Sequence, residues 1–345
     1  MESLSSIGMV AETLPCMKRR GRRSPLMPDL STALPLLDAT VFLYPSRADA
    51  EKGSGYGGSG VIIGLPVPNR PDLVFRYAVT NWHVACQSGS SVIRMKDGSG
   101  NTHIIELEPD EWSFIPGGPD LAVAPLKLPS SVAPRLVHTD LFVDPTRTGE
   151  VFLGDDLFMA GRFVDFDGKE TNRPALRFGA LSMTDASVRQ PTGYSGHSYI
   201  ADLHSRTGYS GSPVYVWRSG ASLTANGMPI MAFGAHAGGD RTISNRGWGA
   251  GNNTSVKLLG IQWGQFPERW EIGKAPSKLE SAQAPLISEG AYVSGFSGMS
   301  CIVPAQEILR VLNLPELARL RENPPEIMTI PMPEGLMVSF TFPAD

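Results

Sequence analysis

The nine residues Arg206-Thr207-Gly208-Tyr209-Ser210-Gly211-Ser212-Pro213-Val214 set a serine among glycines just ahead of a strand-like run, Val214-Tyr215-Val216-Trp217. Glycine permits backbone angles that a β-carbon forbids. That freedom lets two nearby N–H groups converge on one point, as an oxyanion hole requires, and Pro213 stiffens the exit from the turn. A chain built around so tight a reversal is expected to be one of turns and short strands. The 37 glycines and 29 prolines among 345 residues point the same way. Taken alone, such a segment reads as an ordinary loop, and the rest of the chain decides its meaning.

Read in order, residues 1–35 are polar, basic and proline-punctuated, and are expected to form a flexible extension. Their basic run at 18–23 fits a solvated tail, an address or a polyanion contact. The net charge of −4 supports neither nucleic-acid nor membrane-surface binding. Strands are expected at 39–44 and 60–64, then through 75–85 with His83 at the strand's end, at 103–107, and at 121–126 behind Asp120. Residues 141–150 form the expected linker, leaving 36–140 as one unit and 151–314 as a second. Strand-like runs in the second fall at 151–153, 157–160, 176–178, 214–217, 257–264 and 300–303. A helical pattern follows from 304 to 314, with Ile308, Leu309, Val311 and Leu312 on its apolar side. Residues 219–256 read as a surface insertion, and 315–345 as a C-terminal extension whose fold the pattern leaves open.

Several chemistries find no support. Cys16, Cys86 and Cys301 are few, odd in number and widely spaced, so neither a disulfide framework nor a metal-ligand pattern is expected. The glycine-rich stretch 53–60 lacks the Lys-Ser/Thr and the helix of a phosphate-binding loop, and reads as a connection into a strand. His103, His138, His197, His204 and His236 show no ligand spacing. No cofactor and no metal are expected. With neither a secretory leader nor a membrane-length apolar run, the expected location is cytoplasmic.

Three pieces nevertheless occur together: Val79-Thr80-Asn81-Trp82-His83-Val84, Pro119-Asp120-Leu121-Ala122 and Gly208-Tyr209-Ser210-Gly211-Ser212-Pro213. In that order they resemble the trypsin-like, chymotrypsin-fold serine peptidases. Asp120 follows His83 by 37 residues and Ser210 follows Asp120 by 90. The order His, Asp, Ser separates this pattern from subtilisins and α/β-hydrolases. Ser210-Gly211-Ser212-Pro213 is similar to the bacterial glutamyl-endopeptidase-like branch. Ile261-Gln262-Trp263-Gly264 resembles the family's pocket strand, and the resemblance spans 39–314.

The resemblance implies an all-β fold of two packed antiparallel β-barrels with a short C-terminal helix and a cleft between the barrels. It implies a serine endopeptidase acting on protein or peptide substrates through an acyl-enzyme, with His83 as base, Asp120 orienting it and Ser210 as nucleophile. The N–H groups of Gly208 and Ser210 would form the oxyanion hole, and Ser205, Gln262, Trp263 and Gly264 the substrate pocket. Gln262 stands where glutamyl endopeptidases carry a specificity histidine, and His236 is a competing alignment for that role. Tyr209 replaces the aspartate that pairs with a newly cut N-terminus in digestive members, so activation of that kind is not expected. Thr192-Gly193-Tyr194-Ser195-Gly196 repeats the five letters of 207–211 but lacks the proline and strand exit, which places Ser210 ahead of Ser195. Two rival readings stay open: a catalytically silent protein-binding module on the same fold, and an esterase using the same triad. Oligomeric state is not legible.

Overall fold

The computed structural model describes residues 34–68, 70–129, 131–146, 150–218, 224–225, 228–229, 255–271 and 292–331. Most of residues 219–256, His236 included, and the N-terminal extension therefore lie outside the described residues.

Two β-units account for the fold. The first is an eight-stranded sheet made by β1 (Thr40–Tyr44), β2 (Gly58–Val67), β3 (Arg70–Thr80), β4 (Val92–Lys96), β5 (Thr102–Glu106), β6 (Ala122–Pro125), β7 (Val137–His138) and, from the far end of the chain, β16 (Thr329–Pro331). The second is a closed six-stranded barrel: β8 (Asp156–Gly161), β9 (Ala175–Arg189), β10 (Ser195–Asp202), β11 (Pro213–Arg218), β14 (Ser255–Glu271) and β15 (Tyr292–Pro304). A two-residue pair, β12 (Thr224–Ala225) with β13 (Met228–Pro229), stands apart from both. Pairing is antiparallel except for β7, which runs parallel to β2. This is the all-β, chymotrypsin-like two-barrel architecture.

Alternation along the strands explains why so many are buried on both faces. In the first unit Val41, Leu43, Ile62 and Ala78 enter its own core, while Val61, Ile63, Phe75, Tyr77 and Val79 join a larger cluster shared with the second unit. In the second, Leu157, Met159, Val214, Val216 and Leu259 fill the barrel. Phe158, Tyr215, Trp217, Leu258 and Ile261 face outward into that shared cluster. Phe158 and Tyr215 stack there at 4.9 Å. Because one apolar cluster spans both units, the cleft residues of each are held in fixed relation.

The helix α3 (Ala305–Leu312) caps this cluster, burying Ala305, Ile308, Val311 and Leu312 as its 3–4 spacing requires. After α4 (Pro315–Glu322) the chain returns to the first unit, where β16 adds to the edge of β3. Buried Arg76 fastens that return by donating to the carbonyls of Leu128, Val132 and Ile327 at 2.7–3.0 Å. Residues 139–146 lie along the barrel, with the Val143 N–H donating to Leu258 O at 2.9 Å.

Two local expectations change. Residues 151–153 form a turn with Phe152 and Leu153 exposed, because Gly154 at positive φ reverses the chain before β8 begins. The strand ends at Thr80, and His83 opens a single wide helical turn, His83–Gln87. Ahead of the glycine-rich stretch 53–60, the connection from β1 to β2 also holds a short helix, α2 (Arg47–Lys52), which is capped by the Ser46 hydroxyl. Among the described residues no helix is long and apolar enough to cross a membrane.

Candidate active site

A cleft of about 440 Å³ runs between the units, lined from one side by His83, Val84 and Ser88 and from the other by Arg206, Gly208 and Ser210. Ser205, Gln262 and Gly264 also line it. Trp263 does not: its ring is buried, with the indole N–H donating to Ser198 Oγ at 3.3 Å. Ser195 opens β10 at the exposed tip of the β9–β10 hairpin and is not among the cleft-lining residues.

Asp120 is fully buried and holds His83 twice. One carboxylate oxygen lies 2.6 Å from His83 Nδ1, and the other accepts the His83 backbone N–H at 2.9 Å. A carboxylate at Nδ1 keeps the proton of a neutral ring there and leaves the Nε2 lone pair for the cleft. Ser210 Oγ makes no hydrogen bond to His83 in this geometry; the two groups share the cleft. Such contacts commonly tighten only with substrate bound.

Asp120 is itself fixed from two directions. The buried side chain of Asn81 donates to the Asp120 carbonyl at 2.8 Å. Gln190, from the second unit, accepts the Asp120 N–H at 2.7 Å, and Thr192 Oγ1 donates to Gly118 O at 2.7 Å. The hairpin bearing the repeated letters 192–196 thus braces the aspartate's loop. Neither Asn81 nor Gln190 is legible as a functional residue from sequence, since the contact made by Gln190 joins residues 70 apart.

The serine turn takes its shape from its glycines and from Tyr209. Gly208 and Gly211 sit at φ +99° and +88°. A β-carbon on Gly211 would lie 2.0 Å from Ser59 O, so only glycine fits the approach of the two units. Tyr209 points into the barrel core, fully buried, and anchors the turn there. Three neighbouring amides are consumed internally: Tyr209 N–H by Arg206 O, Gly211 N–H by Gln262 O, and Ser212 N–H by Tyr209 O. The N–H groups of Gly208 and Ser210 donate to no acceptor among the described residues. Two undonated amides on a serine-bearing turn are the parts from which an oxyanion site is made.

Cys86 lies one turn beyond His83, but burial pushes its thiol up to about 11, with the Asp120 charge adding to the effect. Burial holds Cys301 at about 12. Both are free and overwhelmingly protonated at neutral pH, so neither supplies a thiolate nucleophile. Iodoacetamide at pH 7 should leave Cys86 and Cys301 unmodified in the folded protein and alkylate both in denaturant, as read by peptide mass mapping.

No protein-family model matches the chain, and no curated protein matches it. Among solved structures it is similar to the MamO protease domain from Magnetospirillum magneticum, at 18% identity over 80% of this chain and 96% of that one, with a TM-score of 0.40. It is similar also to the active form of the Rv3671c protease from M. tuberculosis, at 14% identity over 88% and 93%, TM-score 0.38. A third similarity is to Deg5, at 18% identity over 52% and 75%, TM-score 0.35. At these values the likeness assigns no residue a role, and the site stands on its own geometry.

Proposed function

We propose that this protein is a serine endopeptidase. His83 takes the proton of Ser210 as its oxygen attacks the scissile carbonyl. Asp120 stabilises the imidazolium that forms, and the Gly208 and Ser210 N–H groups receive the developing oxyanion. His83 then returns the proton to the leaving amine, and water releases the acyl group from Ser210 by the same path in reverse. The observation that carries this reading is the single cleft that holds Ser210 on its two-amide turn and a histidine tied to a buried carboxylate. The test is hydrolysis of matched peptide amides and esters. Cleavage of both supports the peptidase, and cleavage of esters alone supports the esterase. Binding of peptides without turnover supports the silent module.

The substrate preference follows from charge. Among the described residues, the cleft is lined by Arg206, Ser205, Thr207 and Gln265 and by no carboxylate, while the buried Gln262 amide in its wall donates to Gly264 O at 3.0 Å. A lysine or arginine entering it would be desolvated without a counter-charge, whereas an acidic or amide side chain meets donors. The bacterial glutamyl-endopeptidase-like branch, proposed on Ser210-Gly211-Ser212-Pro213, is compatible with that lining. Peptides with Glu or Gln before the scissile bond should show kcat/KM about 100-fold above those with Lys or Arg, since an unpaired buried charge costs on the order of 3 kcal/mol. Equal rates for Lys and Glu peptides would contradict this assignment.

A further inference from the structure

We infer that Ser59 is a positioning residue for the oxyanion turn, reaching across from the opposite unit to hold the two carbonyls that flank its free amides. The inference rests on the peptidase reading above. Ser59 lies on β2, opposite Phe42 of β1, and is fully buried. Its hydroxyl donates to Gly208 O at 2.7 Å, and its backbone N–H donates to Ser210 O at 2.8 Å. The same hydroxyl accepts the Arg162 N–H at 2.8 Å, and its carbonyl accepts from Thr80 Oγ1 at 2.7 Å. Every polar group of this one residue is engaged, two of them on the serine turn.

The geometry explains why such a hold matters. Gly208 at φ +99° has little torsional preference of its own, so the peptide that follows it depends on its hydrogen bonds: its N–H reaches Arg206 O at 3.1 Å within the turn, and its carbonyl is tied across the cleft by Ser59. Tying Gly208 O and Ser210 O orients the peptide planes that flank the Tyr209–Ser210 amide and the Gly208 N–H. Oriented dipoles contribute to catalysis because they need no reorganisation as charge develops. Thr80 is three residues before His83 and fixes Ser59 in turn, so the turn and the histidine are referenced to one strand end. Arg162 leads away from β8 on the barrel's own side, completing the bridge.

The test compares Ser59→Ala, which removes the hydroxyl but keeps the amide bond to Ser210, with Ser59→Thr, which retains a hydroxyl. For Ser59→Ala, kcat on a peptide amide should fall about tenfold with KM within twofold, the partition expected when a transition-state interaction alone is lost. Affinity for a peptide aldehyde, whose tetrahedral oxygen occupies the same hole, should fall by the same factor, while binding of the cleaved product peptide stays constant. Ser59→Thr should restore both. Amide exchange at 208–210 should be faster in Ser59→Ala than in the wild type. An unchanged kcat and aldehyde affinity, or a loss confined to KM, would overturn the inference. Should the wild type neither cleave nor bind aldehyde, the peptidase reading fails first. The exchange comparison then judges Ser59 alone: faster exchange in the variant supports the hold, and equal exchange overturns it.

Discussion

Ser210→Ala is expected to lower kcat for peptide-bond hydrolysis by about 10⁶-fold while leaving the fold intact. The substitution removes the attacking oxygen, so His83 has only water to activate. The cost in stability should be within about 0.5 kcal/mol, because Ser210 Oγ makes no hydrogen bond among the described residues and the turn is held by other atoms. Those atoms are the Gly208, Tyr209 and Ser210 carbonyls and the buried Tyr209 ring. Residual turnover from the undonated amides and the cleft should survive. Ser195→Ala should retain wild-type kcat, since that hydroxyl sits on the hairpin tip and not in the cleft. Steady-state kinetics with a melting curve on each variant checks both statements.

Asp167→Asn should destabilise the protein by about 3–5 kcal/mol, the range for breaking a buried ion pair from one side. Asp167 lies between the units, its carboxylate 3.1 Å from Arg162 Nε and 3.4 Å from Arg94, and both guanidiniums are buried. Tyr44 donates to the same carboxylate at 2.8 Å, and its ring lies 4.0 Å beneath the Arg162 guanidinium. Burial together with the neighbouring carboxylate keeps the Tyr44 hydroxyl protonated well beyond its ordinary range, so it acts as a donor only. Asparagine preserves the shape but removes the one negative charge facing two buried cations, which no other carboxylate among the described residues can meet. Against a typical stability of about 5–15 kcal/mol that loss is large. Urea unfolding reads it as a fall in midpoint at constant slope. A midpoint shift worth less than about 1 kcal/mol would show that the arginines are satisfied by carbonyls such as Ala50 O, Gly55 O and Lys169 O.

The fold was legible where local chemistry decides it. β-Branched and aromatic runs at 39–44, 157–160 and 214–217 became strands because alternation let each bury both faces. His83, Asp120 and the Ser210 turn were legible because their neighbours in sequence carry the turn and strand signals that place them. What escaped is what depends on the other unit. Ser59 is a bare serine between glycines until Gly208 and Ser210 arrive from residues 149 and 151 positions further on, and Gln190 is a polar strand end until Asp120 meets it. The β16 pairing was hidden for the same reason, since Thr329–Pro331 gains its partners only by returning to the first sheet. The run 151–153 misled because Phe152 and Leu153 are exposed on a turn and Val151 alone packs against the barrel core.

The central claim is an activated serine at position 210, and the most direct measurement is covalent labelling by a fluorophosphonate probe, with the modified peptide mapped by mass spectrometry. The account predicts stoichiometric label on Ser210 in the wild type and in Ser195→Ala, none in Ser210→Ala, and slowed labelling in His83→Ala. Label on another residue, or a folded wild-type protein that takes up none, would contradict it.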